Sequence, residues 1–225
     1  MKYFIILGAL IFLACPKEEA VAKQTSAEQT PINLPEPIET KVSVEECLRT
    51  RRSIRSFTDD TLSTAQIATL LWSAQGITEE TRGFRTAPSA GATFPLEAYL
   101  FTHNGVYVYN PSGHILNKVK DGDLRGDLCA AANNQAWVKA APVSVVLCAV
   151  PERTSKRYGD RTMRYIYMEA GHAAQNIHLQ AVALELGSVP VGAFDDDALS
   201  RLLGLHETEP ETVPLYIIPV GKPVQ

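Results

Sequence analysis

The chain has 225 residues, 45% of them hydrophobic and 20% charged, with a formal net charge of −4. That length suits one catalytic domain with an appendage. No basic stripe is present, which argues against nucleic acid as a partner, because neutralising phosphates needs clustered Lys and Arg. Cys15, Cys47, Cys129 and Cys148 share no CxxC spacing, so neither a zinc nor an iron–sulfur site is indicated and no metal ligands are assigned.

Met1 to Ala14 has the form of a signal peptide. Lys2 supplies the positive start, and Tyr3 to Ala14 is an apolar run too short to cross a bilayer as a helix. It ends in Ala14-Cys15, a small residue followed by cysteine, which resembles the lipobox of bacterial lipoproteins. The resemblance implies lipidation at Cys15 and a place in the cell envelope, lipid-anchored on the outer side of the cytoplasmic membrane or in the periplasm. If the segment is not a signal, the protein is cytoplasmic. Residues 16–40 contain Pro16, Pro31, Pro35 and Pro37 among polar residues and few that build a core, so a flexible tether is expected there. The folded domain is expected over 41–225.

Within it, Ser43 is a good N-cap for a helix from Val44 to Thr50. Ser63 opens a second helix with Ile67, Leu70, Leu71 and Ala74 on one face, stopped by Gly76. Arg82 to Thr93, rich in Gly, Ser, Thr and Pro, reads as a loop. Leu96–Thr102 and Val106–Tyr109 are predicted strands joined at Asn104-Gly105, with a third strand at Ile115–Val119. Leu124–Ala132 is helical by pattern, and Val143–Val150 is a buried strand. Thr162–Leu186 is a long helix, apolar on most faces, which predicts burial in the core or at a subunit interface. Ser188–Phe194 is a strand or extended turn, Asp195 caps a helix at Asp196–Leu203, and Val213–Val220 is the last strand. The class is α+β, with helices covering a mostly antiparallel sheet.

Four segments point to chemistry. Arg51, Arg52 and Arg55 fall within five residues and repel one another unless an anion lies nearby; guanidinium suits phosphate, and Ser53 adds a hydroxyl. Ser89, Ala90 and Gly91 open a run of small residues that lets backbone approach a flat ligand. Gly192 and Ala193 follow the long helix, and Lys222 follows the last strand. His172 and His178 are six apart and cannot face one metal from one helix, so each is expected as a buried or interface histidine with hydrogen-bond partners.

In this order the four segments resemble the nitroreductase family, over essentially all of Ser43 to Pro223. Ser89 to Glu97, and Glu169 to Asn176 on the long helix, are similar to the subgroup containing the azoline dehydrogenases of peptide maturation. In that subgroup a Lys-Tyr pair lies near the region of Arg157-Tyr158. The resemblance implies a homodimer with the long helix at the dimer interface and FMN between the two subunits. Arg51, Arg52, Ser53, Arg55 and Lys222 would hold phosphate, ribityl and ring edge; Gly192 and Ala193 would offer N–H groups near N5 and O4; Ser89, Ala90 and Gly91 would come from the partner. No side chain is singled out as catalytic, the chemistry being the flavin's with Arg55 and Gly192 near the ring. A hydride or electron pair would pass through N5 between a donor and a small-molecule or peptide substrate. The donor is NAD(P)H for a cytoplasmic protein and a quinone or redox protein outside that pool. The alternative is a membrane-tethered lipoprotein that binds a small ligand or flavin without redox turnover.

Overall fold

The computed structural model describes residues 30–224. The predicted signal segment, Cys15 and residues 16–29 of the predicted tether lie outside the described residues.

The architecture is α+β: a seven-stranded antiparallel sheet with helices on both faces. In chain order the elements are β1 (Ile32–Asn33), α1 (Val44–Thr50), α2 (Thr64–Gln75), a small hairpin β2 (Ile77–Glu79) and β3 (Phe84–Arg85), then β4 (Leu96–Thr102), β5 (Gly105–Asn110) and β6 (Ile115–Asp121). There follow α3 (Arg125–Ala131), α4 (Ala136–Ala140), β7 (Val143–Ala149), α5 (Pro151–Tyr158), α6 (Thr162–Ala183), β8 (Gly187–Ser188), α7 (Asp196–Leu203) and β9 (Val213–Gly221). The strand order is β1-β6-β5-β4-β7-β9-β8.

Strand β7 explains the two-sided cover. Side chains of a strand alternate between faces, and β7 is buried throughout. Val145, Leu147 and Ala149 join a core with Leu70 and Leu71 of α2 and Ile166, Ala173 and Ile177 of α6. Val146 and Cys148 join a second core with Leu128 of α3, Val138 of α4 and Leu199 of α7. An apolar run with no polar face therefore demands helices on both sides.

Local signals set the helix starts. Ser43 accepts from the Glu46 N–H, Ser63 and Gln66 form a reciprocal capping box, and Asp195 accepts from the Ala198 N–H.

Two expectations are corrected and one choice is decided. The tether reading fails from Ile32 onward: β1 pairs with β6, Leu34 is buried, and the Ile38 N–H donates to the Thr69 hydroxyl at 2.8 Å. Few apolar residues suffice there because main-chain hydrogen bonds do the docking. Of the two readings for Ser188–Phe194 the extended turn holds: only Gly187–Ser188 and a single bridge at Val191 join the sheet, because Pro219, which faces Val189, has no N–H to donate back. The small residues of α6 are not held back for a partner either: Ala170, Ala173, Ala174 and Ala181 are buried within the chain's own core. What α6 leaves exposed is a strip with Tyr167, Met168, Gly171, His172 and Gln175. Among the described residues no helix is long and apolar enough to cross a membrane.

Candidate functional site

Arg51 to Phe57 leaves α1 and runs along the β8–β9 end of the sheet. Ser53 bridges Ser188, Phe57 bridges Pro223, and the Ile54 N–H donates to the Ser188 carbonyl at 3.0 Å. Gly187 makes this approach possible, since a Cβ there would stand 2.7 Å from Ile54. The sheet edge is thereby covered by the segment that bears the guanidiniums.

Each guanidinium has a different setting. Arg51 is half-buried, with Nη1 2.9 Å from Nε2 of His178, whose Nδ1 lies 2.5 Å from the Ser188 hydroxyl. Arginine only donates, so Nε2 is the acceptor and the imidazole proton sits on Nδ1, donating to Ser188. Burial, and then the neighbouring Arg51 charge, lower His178 to about 4. A neutral imidazole thus fixes the head of Arg51 without cancelling its charge. Arg52 is exposed and turns back, donating to the carbonyls of Arg49 and Arg51 at 3.1 and 2.7 Å. It closes the C-terminus of α1, a role that positive charge suits there, and its assignment to the cofactor is corrected to that extent. Arg55 is exposed, and its Cζ lies 5.5 Å from the centre of the Trp137 ring. Among the described residues none of these three pairs with a carboxylate. Ser53 is exposed beside them. Lys222, in contrast, has its ammonium 3.2 Å from Asp60.

Gly192 and Ala193 lie exposed just past β8. A Cβ at Gly192 would meet only Tyr216, at an ordinary 3.4 Å, so packing inside the chain does not require glycine there. This backbone is pinned from α3 and α4: the Gln135 amide donates to the Ala193 carbonyl, and the Asp195 N–H to the Ala131 carbonyl, both at 2.8 Å.

Ser89, Ala90 and Gly91 form a separate cluster. Ser89 turns inward: its hydroxyl accepts the Phe94 N–H at 2.9 Å and donates to Glu169 of α6. The Ser89 side chain is therefore engaged inside the chain, and the exposed part of the loop is its apex around Gly91. Gly91, Ala92 and Phe94 all have left-handed backbone, with φ of 60°, 53° and 45°. Such conformations cost about 1–3 kcal/mol each for non-glycine residues, and several contacts hold them. Thr93 bonds Thr154 at 2.9 Å, Arg153 donates to the Phe94 carbonyl at 3.1 Å, and Arg157 donates to the Gly91 carbonyl at 3.3 Å. Tyr158 stands close enough that a Cβ on Gly91 would lie 2.7 Å from its hydroxyl. Glu169 is 2% exposed, and one of its oxygens has no partner. Burial pushes its carboxyl up to about 7, opposed by the Ser89 hydrogen bond and the Arg85 charge.

Glu169 and His178 mark the two clusters on one helix, and between them α6 rises roughly 13 Å. The structure thus brings Arg51, Ser53, Arg55, Gly192 and Ala193 to one end of the sheet and leaves the Ser89–Gly91 loop apart. His178 is buried with hydrogen-bond partners as expected, while His172 is exposed on α6; the pairing of His178 with Arg51, and the parts of Gln135 and Trp137, were not foreseen.

Residues 48–222 match the model of the nitroreductase family. A protein of Methanocaldococcus jannaschii that bears the nitroreductase name is 40% identical over 191 residues, covering 82% of this chain and 93% of that protein. A crystal structure of a nitroreductase from Ralstonia eutropha JMP134 superposes with a TM-score of 0.79 at 27% identity, covering 89% of this chain and 92% of the other. Another, a nitroreductase from Desulfovibrio desulfuricans in complex with FMN, gives a TM-score of 0.60 at 24% identity, with 83% and 89% covered. On its fold, its site segments and these likenesses, the chain belongs to the nitroreductase family.

Proposed function

We propose that this protein is an FMN-dependent oxidoreductase that works as a homodimer on a small organic substrate. The observation that supports it most is the pair of guanidiniums, Arg51 and Arg55, with no carboxylate partner among the described residues. Cations left in this state at a pinned sheet edge fit an anionic ligand. Bound FMN supplies a two-electron centre at N5 of its ring. Arg51, held by neutral His178, takes the phosphate together with the Ser53 hydroxyl. Arg55, over Trp137, places positive charge beside the ring edge and favours an anionic reduced ring. Gly192 and Ala193 present backbone without side-chain bulk. A second copy contributes its loop apex around Gly91, which within one chain stands apart from the Arg51 end.

The test is the absorption spectrum of the purified full-length chain, with chromatography of the released ligand. FMN at about one per chain is the expected result. Arg51→Ala is expected to weaken its binding by about 1.5–3 kcal/mol, the scale of a charge-assisted hydrogen bond. Release of FAD, or binding indifferent to Arg51, would overturn the reading.

The apolar run ending at Cys15 further supports lipid attachment on the outer side of a membrane. An enzyme held there draws its electrons from a quinone or a redox protein, NAD(P)H being a cytoplasmic pool. Labelled fatty acid is expected to enter the wild-type chain in cells and not Cys15→Ala. Equal labelling of the two would remove the anchor, and with it the argument against NAD(P)H.

A further inference from the structure

We propose that Trp137 and Gln135 are positioning residues: the short α4 block locks Arg55 and the Gly192–Ala193 backbone into one fixed arrangement, so that Trp137 sets the potential of the bound flavin through Arg55. The inference rests on the FMN reading of the site.

Arg55 is exposed, and among the described residues neither a carboxylate nor a carbonyl engages it. A long side chain in that state samples many rotamers, and its charge is spread over many positions. The one contact that restrains it is the face of Trp137, at 5.5 Å from ring centre to Cζ. That separation is within the range in which the negative face of an indole attracts a cation, and Trp is the strongest aromatic partner for it. The indole N–H points the same way. Nε1 is buried and has no acceptor. The polar atom of Trp137 therefore makes no hydrogen bond to the described chain. What only the indole provides here is its π face under the guanidinium.

The same block reaches the second half of the site. Gln135, the residue before α4, donates to the Ala193 carbonyl at 2.8 Å and to the Ala132 carbonyl at 2.9 Å. At the end of α3, the Ala131 carbonyl accepts the Asp195 N–H. Val138, the next residue of α4 after Trp137, is fully buried, which seats the block in the core. One rigid element thus touches the cation of one segment and the backbone of another that lies about 140 positions further along the chain, and fixes their mutual distance.

The test measures FMN affinity and midpoint potential on full-length protein for wild type, Arg55→Ala, Trp137→Leu, Trp137→Phe and the double variant Arg55→Ala/Trp137→Leu. Arg55→Ala is expected to lower the potential, since a cation beside the reduced ring is lost. Trp137→Leu is expected to lower it too while affinity stays within a few-fold, Trp137→Phe to fall between, and the double variant to match Arg55→Ala alone. If Trp137→Leu does not fold, Trp137→Phe decides: an unchanged potential overturns the proposal. An equal drop from Trp137→Leu with and without Arg55 also overturns it, because Trp137 would then act on its own. No shift in Arg55→Ala overturns it as well, because Trp137 then has no cation to act through, whereas no flavin in wild type is the failure of the FMN reading instead.

Discussion

Ala174→Glu is expected to destabilise the single chain strongly, not to split a dimer. Ala174 is 3% exposed and packs in the core that α6 shares with α2 and the sheet. A carboxylate there is taken out of water with no partner, which costs about 3–5 kcal/mol, against a total stability on the order of 5–15 kcal/mol for a domain. Met168→Glu is the contrasting variant. Met168 is 54% exposed on the open strip of α6, so a charge there leaves the single chain folded and acts only on association. Thermal melts followed by circular dichroism, with sedimentation of whatever remains soluble, separate the two. An Ala174→Glu protein that melts like wild type would show that α6 is packed differently from this arrangement.

That pair of variants also shows what the sequence makes legible. Apolar spacing identifies α6 as a helix that must be covered on most faces, but it is silent on whether the cover comes from the same chain. Here α2 and the sheet supply it. Caps depend on three or four neighbouring residues, so Ser43, Ser63 and Asp195 could be read directly. Helix α5 could not be read from apolar spacing: Pro-Glu-Arg-Thr-Ser-Lys-Arg-Tyr has no apolar stripe, and its clearest local signal is a proline at the first helical position. The Arg51–Arg55 cluster was visible because like charges crowd in sequence. Gln135 and Trp137 were not, because each acquires its part from a contact with a distant segment, 58 positions away for Gln135 and Ala193. Arg52 shows the converse, a charge with the right neighbours in sequence that spends its donors on the carbonyls beside it.

Glu169→Gln is expected to change the shape of stability against pH more than its height at any one pH. Two buried groups on α6 act in opposite senses. Glu169 has its folded value raised from 4.5 to about 7, mainly by burial. Between those values the folded chain holds a proton that the unfolded chain has released, so stability falls as pH rises through the window. His178 has its folded value lowered from 6.5 to about 4, by burial and then by Arg51. Between those values the unfolded chain binds a proton that the folded chain refuses, so stability rises with pH and is lost on acidification. Each displacement corresponds to roughly 3 kcal/mol, and the windows overlap from about pH 4.5 to 6.5. Wild type is therefore expected to be nearly flat there. Glutamine mimics the protonated acid and still accepts from the Ser89 hydroxyl, so the variant loses the falling contribution and keeps the rising one. Its stability is expected to climb by roughly 3 kcal/mol between pH 4 and 6.5. Urea denaturation at half-unit intervals of pH checks it. Parallel curves for wild type and Glu169→Gln would mean that Glu169 is ionised in the folded chain across this range.

The strand order fixes which margin of the sheet takes the load when something pulls the chain by its beginning. Strand β1 is one margin of the seven-stranded sheet and β8 is the other. The chain thus enters the folded body at the margin opposite the one where Ser53 meets Ser188. Six strand spacings separate the two, roughly 29 Å. Because residues 32–38 are fastened down, a pull from before Thr30 is borne by β1 and β6 and not by a slack leash. Any surface, bead or membrane that pulls on the chain ahead of Thr30 therefore loads the sheet margin opposite the arginine end.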